Sequence, residues 1–234
     1  MLFQPLRPGD RPYGAQHLAL RTLNKEKPMT DHHKKKVEDA FNRVRQELCQ
    51  IGLLADGVYL DHIELCISGI PSLGEAGFVY DSGVPWLAGI LGYEEGLIYL
   101  PRNTPHSLYK PGGTLTDVIR HEFAHAWAWL DRDFLNGVWF KRAFGRWYDD
   151  EWPLGDQLFR LFRRHGGREF KRSPYYRDFV SPYAMKAPYE DFAETFMTCL
   201  RYWGSASRFR NRPGLYQKIV AVRAAVGAAA SQNH

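Results

Sequence analysis

Five consecutive residues, His121-Glu122-Phe123-Ala124-His125, carry the plainest chemistry in this chain. Two imidazoles four residues apart lie one turn apart on a helix and share a face, so both can reach one metal ion. Glu122 stands about a third of a turn away, where a carboxylate can hold a water molecule beside the metal without ligating it. Catalytic zinc takes three protein ligands and leaves one position open. The third should come from another ordered element, and Glu190 and Glu194 meet that need. They are one helical turn apart, in a segment whose Phe192, Ala193 and Phe196 supply an apolar side. Two carboxylates so placed repel each other unless a cation lies between them or both meet donors. A metal on Glu190, with Glu194 accepting from a ligand histidine, removes the conflict. A solvent-facing acidic pair near a helix N-terminus, welcome to the helix dipole, is the other reading.

The elements that must position these residues follow from periodicity. Leu115, Val118, Ile119, Glu122, Phe123, Ala126 and Trp129 recur with a 3.6-residue rhythm, and neither Pro nor Gly interrupts Leu115 to Leu130. Thr114, after Gly112-Gly113, is the expected N-cap, with Asp117 as its reciprocal partner. An earlier helix is expected from Thr30 or Asp31 to about Ile51, on the stripe Val37, Phe41, Val44, Leu48 and Ile51. Ile63, Leu65 and Ile67 alternate with Glu64 and Cys66 as a half-buried strand. Ala76 to Tyr80, Trp86 to Ile90 and Gly96 to Leu100 are further strand candidates. The aromatic-rich stretch from Phe134 to Trp152 is expected to pack the motif helix against the next one. Helices from Pro153 to His165, from Pro188 to about Tyr202 and from Leu215 to Ala230 complete the chain. The expected class is α+β, with a small mixed sheet and a helix-rich C-terminal half. Residues 1–30, rich in Pro, Gly, Arg and Lys, read as an extended or partly disordered arm. Residues 31–230 read as one domain, with a sheet-containing half (31–130) and a helical half (131–230).

Composition narrows the function classes. Hydrophobic residues at 44 % and charged residues at 24 % are those of a soluble globular protein. The balance of 31 basic and 26 acidic side chains gives +5, a mild preference for anionic surfaces that does not by itself imply nucleic acid. Cys49, Cys66 and Cys199 lack metal-ligand spacing and read as buried free thiols of a reducing compartment. With neither an ordinary signal peptide nor a bilayer-length apolar run, the expectation is a cytoplasmic, non-membrane protein, with export by an unrecognised route left open.

The motif and the second segment, Tyr183 followed by Glu190-Asp191-Phe192-Ala193-Glu194, together resemble the gluzincin-type zinc metallopeptidases related to anthrax lethal factor and Mlc titration factor A. A broader set of bacterial zinc-binding peptidases shares the pattern: Tyr, six residues, Glu, two residues, Ala and usually Glu. The resemblance covers roughly residues 90 to 200 and is strong only at the two motifs. It implies a zincin-like fold with an edge strand above the active-site helix, and one Zn2+ held by His121, His125 and Glu190. It further implies Glu122 as general base, Tyr183 steadying the oxyanion, and Glu194 as a carboxylate behind the ligands. Gly96, Leu97, Ile98, Tyr99 and Leu100 would form the edge strand along which a peptide lies. The implied activity is hydrolysis of peptide bonds in a peptide or protein substrate.

Two rival readings keep the motif and change the role. In a DNA-associated zinc protease, Lys34, Lys35, Lys36, Arg160, Arg163, Arg164, Lys171 and Arg172 would form a phosphate-binding face whose affinity falls steeply with salt. In a non-catalytic interaction protein, zinc would have a closed shell and hydrolyse nothing. His106 and His165 are spare ligand candidates, and His62, within a strand pattern, reads as structural.

Overall fold

The computed structural model describes residues 31–54, 60, 63–68, 77–80, 96–101, 113–165 and 167–232. The expected arm over 1–30, the strand candidate Trp86 to Ile90, and His62 and His106 lie outside them. Helix α1 (Asp31–Gln50) buries Val37, Phe41, Val44 and Leu48, the residues its spacing sets on one stripe. Three short strands follow, β1 (Glu64–Ser68), β2 (Gly77–Tyr80) and β3 (Gly96–Pro101), in the order β1-β3-β2. β1 runs parallel to β3 with Leu65 opposite Ile98, and β2 runs antiparallel with Phe78 opposite the same Ile98.

Helices make up most of the remaining described residues: α2 (Leu115–Leu130), α3 (Arg132–Leu135), α4 (Val138–Phe144), α5 (Gly155–His165), α6 (Gly167–Arg172), α7 (Pro188–Arg201) and α8 (Pro213–Gln232). The expected α+β class is therefore corrected, because the described chain is predominantly helical. Its core is built by helix on helix. Phe41 of α1 stacks on Phe123 of α2 at 5.4 Å, and Trp127 of α2 meets Phe192 and Phe196 of α7 at 5.8 and 5.5 Å. From α8, Leu215, Ile219, Val222 and Val226 close the same core.

The expected edge strand is corrected as well. β3 lies in the middle of the sheet, paired on both sides, so its backbone has no free edge onto which a peptide can add as a strand. Gly96, Leu97, Ile98, Tyr99 and Leu100 thus lose the basis of their expected role as a substrate ledge. Period-two patterning marks a strand but carries nothing about its neighbours, which long-range pairing decides. The cysteine expectation is corrected at one position. Cys199 is buried and its thiol is pushed up to about 12, burial being the main cause, but Cys49 is exposed.

Charged staples fix the helices that carry the candidate site. The Arg120 guanidinium of α2 forks onto Glu47 of α1 at 2.6 and 2.7 Å and also reaches Asp117 at 2.6 Å. Asp117 in turn accepts from Arg201 of α7 at 2.8 Å. On the far side of α7, Lys218 of α8 donates to the fully buried Asp191 at 2.6 Å. Gly155 lets α5 approach closely, because a Cβ there would run into the backbone carbonyls of Met185 and Lys186. That contact holds the short 3₁₀ turn Tyr183–Met185 in place beside α7. No helix among the described residues is long and apolar enough to cross a membrane.

Candidate metal centre

α2 starts on a reciprocal cap. Asp117 N–H donates to Thr114 Oγ1 at 3.2 Å, and Thr114 N–H donates to Asp117 Oδ2 at 3.0 Å. Beyond that cap on the same helix, His121 and Glu122 are both buried, and His125 follows one turn after His121, half-buried. α7 begins at Pro188, whose fixed φ and missing N–H suit a first helical position. Its stripe of Phe192, Ala193 and Phe196 enters the core. That packing brings Glu190 and Glu194, both buried rather than solvent-facing, against the histidines of α2.

Three donor atoms converge there. His121 Nε2 and His125 Nε2 are 3.1 Å apart, and Glu190 Oε2 lies 3.2 Å from the first and 3.5 Å from the second. Donors about 2.0–2.1 Å from a tetrahedral zinc stand roughly 3.3 Å from one another. The triangle has the size of one face of such a site, and two imidazoles with one carboxylate are a fitting donor set. The His125 side chain is 20 % exposed, against 4 % for His121 and 7 % for Glu190, so the cluster opens toward solvent on the His125 side.

Each imidazole that turns Nε2 inward turns Nδ1 outward. His121 Nδ1 is 3.4 Å from Glu194 Oε1, while Glu194 Oε2 accepts from Ser181 Oγ at 2.6 Å. His125 Nδ1 is 3.3 Å from the Tyr148 hydroxyl. The remaining oxygen of Glu190, Oε1, accepts from the Tyr183 hydroxyl at 2.8 Å, and the Tyr183 ring stands 5.8 Å from the His121 ring.

The electrostatics are those of a buried histidine–carboxylate ion pair. Burial lowers the His121 pKa, but hydrogen bonds to Glu190 and Glu194, with the charges of Glu122 and Glu190, outweigh it and push it up to about 10. Burial likewise opposes ionisation of Glu190, yet the hydrogen bonds and charges of His121 and His125 hold it well below the usual carboxylate range. A proton on His121 therefore occupies the lone pair that a metal would take. Burial pushes neighbouring Asp191 up to about 6, against the opposing pull of Lys218.

The structure brings His121, Glu122, His125, Tyr183, Glu190 and Glu194 together on α2, α7 and the turn before α7. The cluster fits a generic gluzincin-type metal site and is geometrically consistent with a zinc-binding, glutamate-assisted hydrolytic centre. His165 is the last residue of α5. The cations of the DNA reading are all exposed, on α1, α5 and α6; Lys34 pairs with Glu38 at 3.7 Å and Arg172 with Glu169 at 3.3 Å. Sequence reasoning missed two residues, Ser181 and Tyr148. Ser181, two before Tyr183, carried no motif. Tyr148 sat in the aromatic-rich stretch, where its one signal was a polar hydroxyl among core phenylalanines that needs a partner when buried. No protein-family model, no curated protein and no solved structure matches this chain.

Proposed function

We propose that the chain is a zinc metallopeptidase that hydrolyses peptide bonds in a peptide or protein substrate. The observation that carries the proposal is the donor triangle of His121 Nε2, His125 Nε2 and Glu190 Oε2, with the buried carboxylate of Glu122 next to it. These three residues would hold the ion, which supplies a Lewis acid and lowers the pKa of water toward neutrality. Glu122 follows His121 directly and acts on it electrostatically. Its carboxylate takes the proton of the attacking water and passes it to the nitrogen of the leaving amine. Glu194 orients His121 through Nδ1, and Ser181 holds Glu194. The Tyr183 hydroxyl donates a hydrogen bond to Glu190 Oε1 in this structure. On substrate binding that hydroxyl turns to the developing oxyanion, a stabilisation gained chiefly in the transition state.

A proteome-wide cleavage screen comparing the purified protein with Glu122→Gln tests the proposal. The amide keeps the size of the side chain and removes the base, so new peptide termini should fall by about 10²- to 10⁴-fold at unchanged zinc content. Equal cleavage by both forms, or none by either at full zinc loading, overturns it.

A further inference from the structure

We propose that Tyr148 is a positioning residue of the metal centre: its hydroxyl oxygen accepts a hydrogen bond from Nδ1–H of His125 and so fixes the tautomer that leaves Nε2 available to the ion. The inference rests on the metal-centre reading above and adds a residue outside both motifs. A neutral imidazole that offers Nε2 as a lone pair must carry its proton on Nδ1, and that proton needs an acceptor. For His121 the group that faces Nδ1 is a carboxylate, Glu194 Oε1, at an ion-pair distance of 3.4 Å. For His125 the atom in the corresponding place is Tyr148 Oη at 3.3 Å.

The chain around Tyr148 is built to hold that oxygen. α4 ends at Gly145, whose φ of 79° is a left-handed turn that a side chain would strain. Asp150 Oδ2 accepts from Trp147 N–H at 3.0 Å, and Asn136 Oδ1 accepts from Tyr148 N–H at 3.2 Å. Asp149 Oδ2 is gripped by Asn136 Nδ2 and by the Arg132 guanidinium, both at 3.1 Å. The backbone is thus tied on both sides of Tyr148. Its ring stands edge-on against Phe140 at 5.4 Å and Phe192 at 6.0 Å, so the hydroxyl has little freedom to swing away. Packing alone would be met by a phenylalanine; the oxygen is what reaches the ligand. The two histidines are backed unequally, one by an anion and the other by a neutral phenol, and the phenol is the weaker acceptor.

Tyr148→Phe keeps the ring and removes the oxygen. Zinc affinity, read by competition with a chelator, should fall by about 10-fold, the lower end of the range for residues that orient a metal ligand. The melting temperature of the metal-free variant should stay near that of the parent chain. A purely structural role would reverse this pattern, lowering the melting temperature and leaving zinc affinity intact. Nitrogen-15 NMR of histidine-labelled, zinc-loaded parent protein reads the tautomer directly and does not depend on the variant folding. A slowly exchanging Nδ1 proton on His125 supports the proposal, and its rapid exchange in Tyr148→Phe supports it further. A proton on Nε2 of His125, or equal affinity and equal exchange in both forms, overturns it while the metal centre stands. A parent chain that takes up no zinc overturns the metal centre and this inference together.

Discussion

Glu194→Gln is the substitution that best separates the two glutamates of α7. The amide keeps the volume of the side chain and its ability to meet Ser181, whose Oγ donates to Oε2 at 2.6 Å, but removes the charge facing His121 Nδ1 at 3.4 Å. Glu194 is only 2 % exposed, so water screens little of that charge. A hydrogen bond to a charged group contributes about 1.5–3 kcal/mol and a neutral one about 1. The difference, about 0.5–2 kcal/mol, weakens zinc binding by roughly 2- to 30-fold. Glu190→Gln removes a donor atom itself, so its loss should exceed 100-fold, beyond the range of an orienting residue. One opposing effect has a definite sign. Glu194 helps hold the His121 pKa near 10, so its neutralisation also weakens the proton that competes with zinc at neutral pH. The deficit of Glu194→Gln should therefore be smaller at pH 7 than at pH 9.5. Chelator competition at both pH values, with unfolding of the metal-free forms as control, measures all of this. If Glu194→Gln loses zinc and Glu190→Gln keeps it, the ligand lies one helical turn from where the geometry puts it.

Zinc uptake should release about one proton per ion at pH 7.5, measurable by pH-stat titration, because His121 carries a proton there in the metal-free protein. The folded His121 pKa of about 10 lies above the unfolded value near 6.5, so the stability it contributes is complete below about pH 6.5 and is lost as pH rises toward 10. The metal-free protein should accordingly melt lower across that window by more than His121→Asn does, and equal slopes would contradict the assignment. Arg120→Ala leaves Glu47 without its fork and Asp117 with Arg201 and the Thr114 N–H, which should cost about 2–4 kcal/mol in denaturant unfolding. A loss under about 1 kcal/mol would show that the staple is dispensable.

What was legible in the sequence is what local physics decides. The motif helix declares itself through its Thr114–Asp117 cap and an unbroken 3.6-residue rhythm, both set within the segment. Glu190 and Glu194 stood out because paired carboxylates need a reason to be adjacent, and burial on α7 sharpens that need. Contacts between distant segments were not legible. The central place of β3 depends on β1 and β2 pairing across it, which alternation along one strand does not encode. The predominance of helix follows from which stripes found one another: α1, α2, α7 and α8 bury theirs together and leave the sheet small. Tyr148 reaches His125 across 23 residues only because Asn136, Gly145 and Asp149 set the path of the loop between them. Cys49 sits at the penultimate position of α1, off the buried stripe, where an apolar neighbourhood in sequence does not imply burial.

The central claim is that one ion is held by His121, His125 and Glu190. Anomalous diffraction from zinc-loaded crystals, collected on both sides of the zinc absorption edge, tests it most directly. The expected result is a single strong peak per chain, about 2 Å from His121 Nε2, His125 Nε2 and Glu190 Oε2. A fully loaded crystal with no peak inside that triangle, or with its zinc on other residues, would contradict the claim.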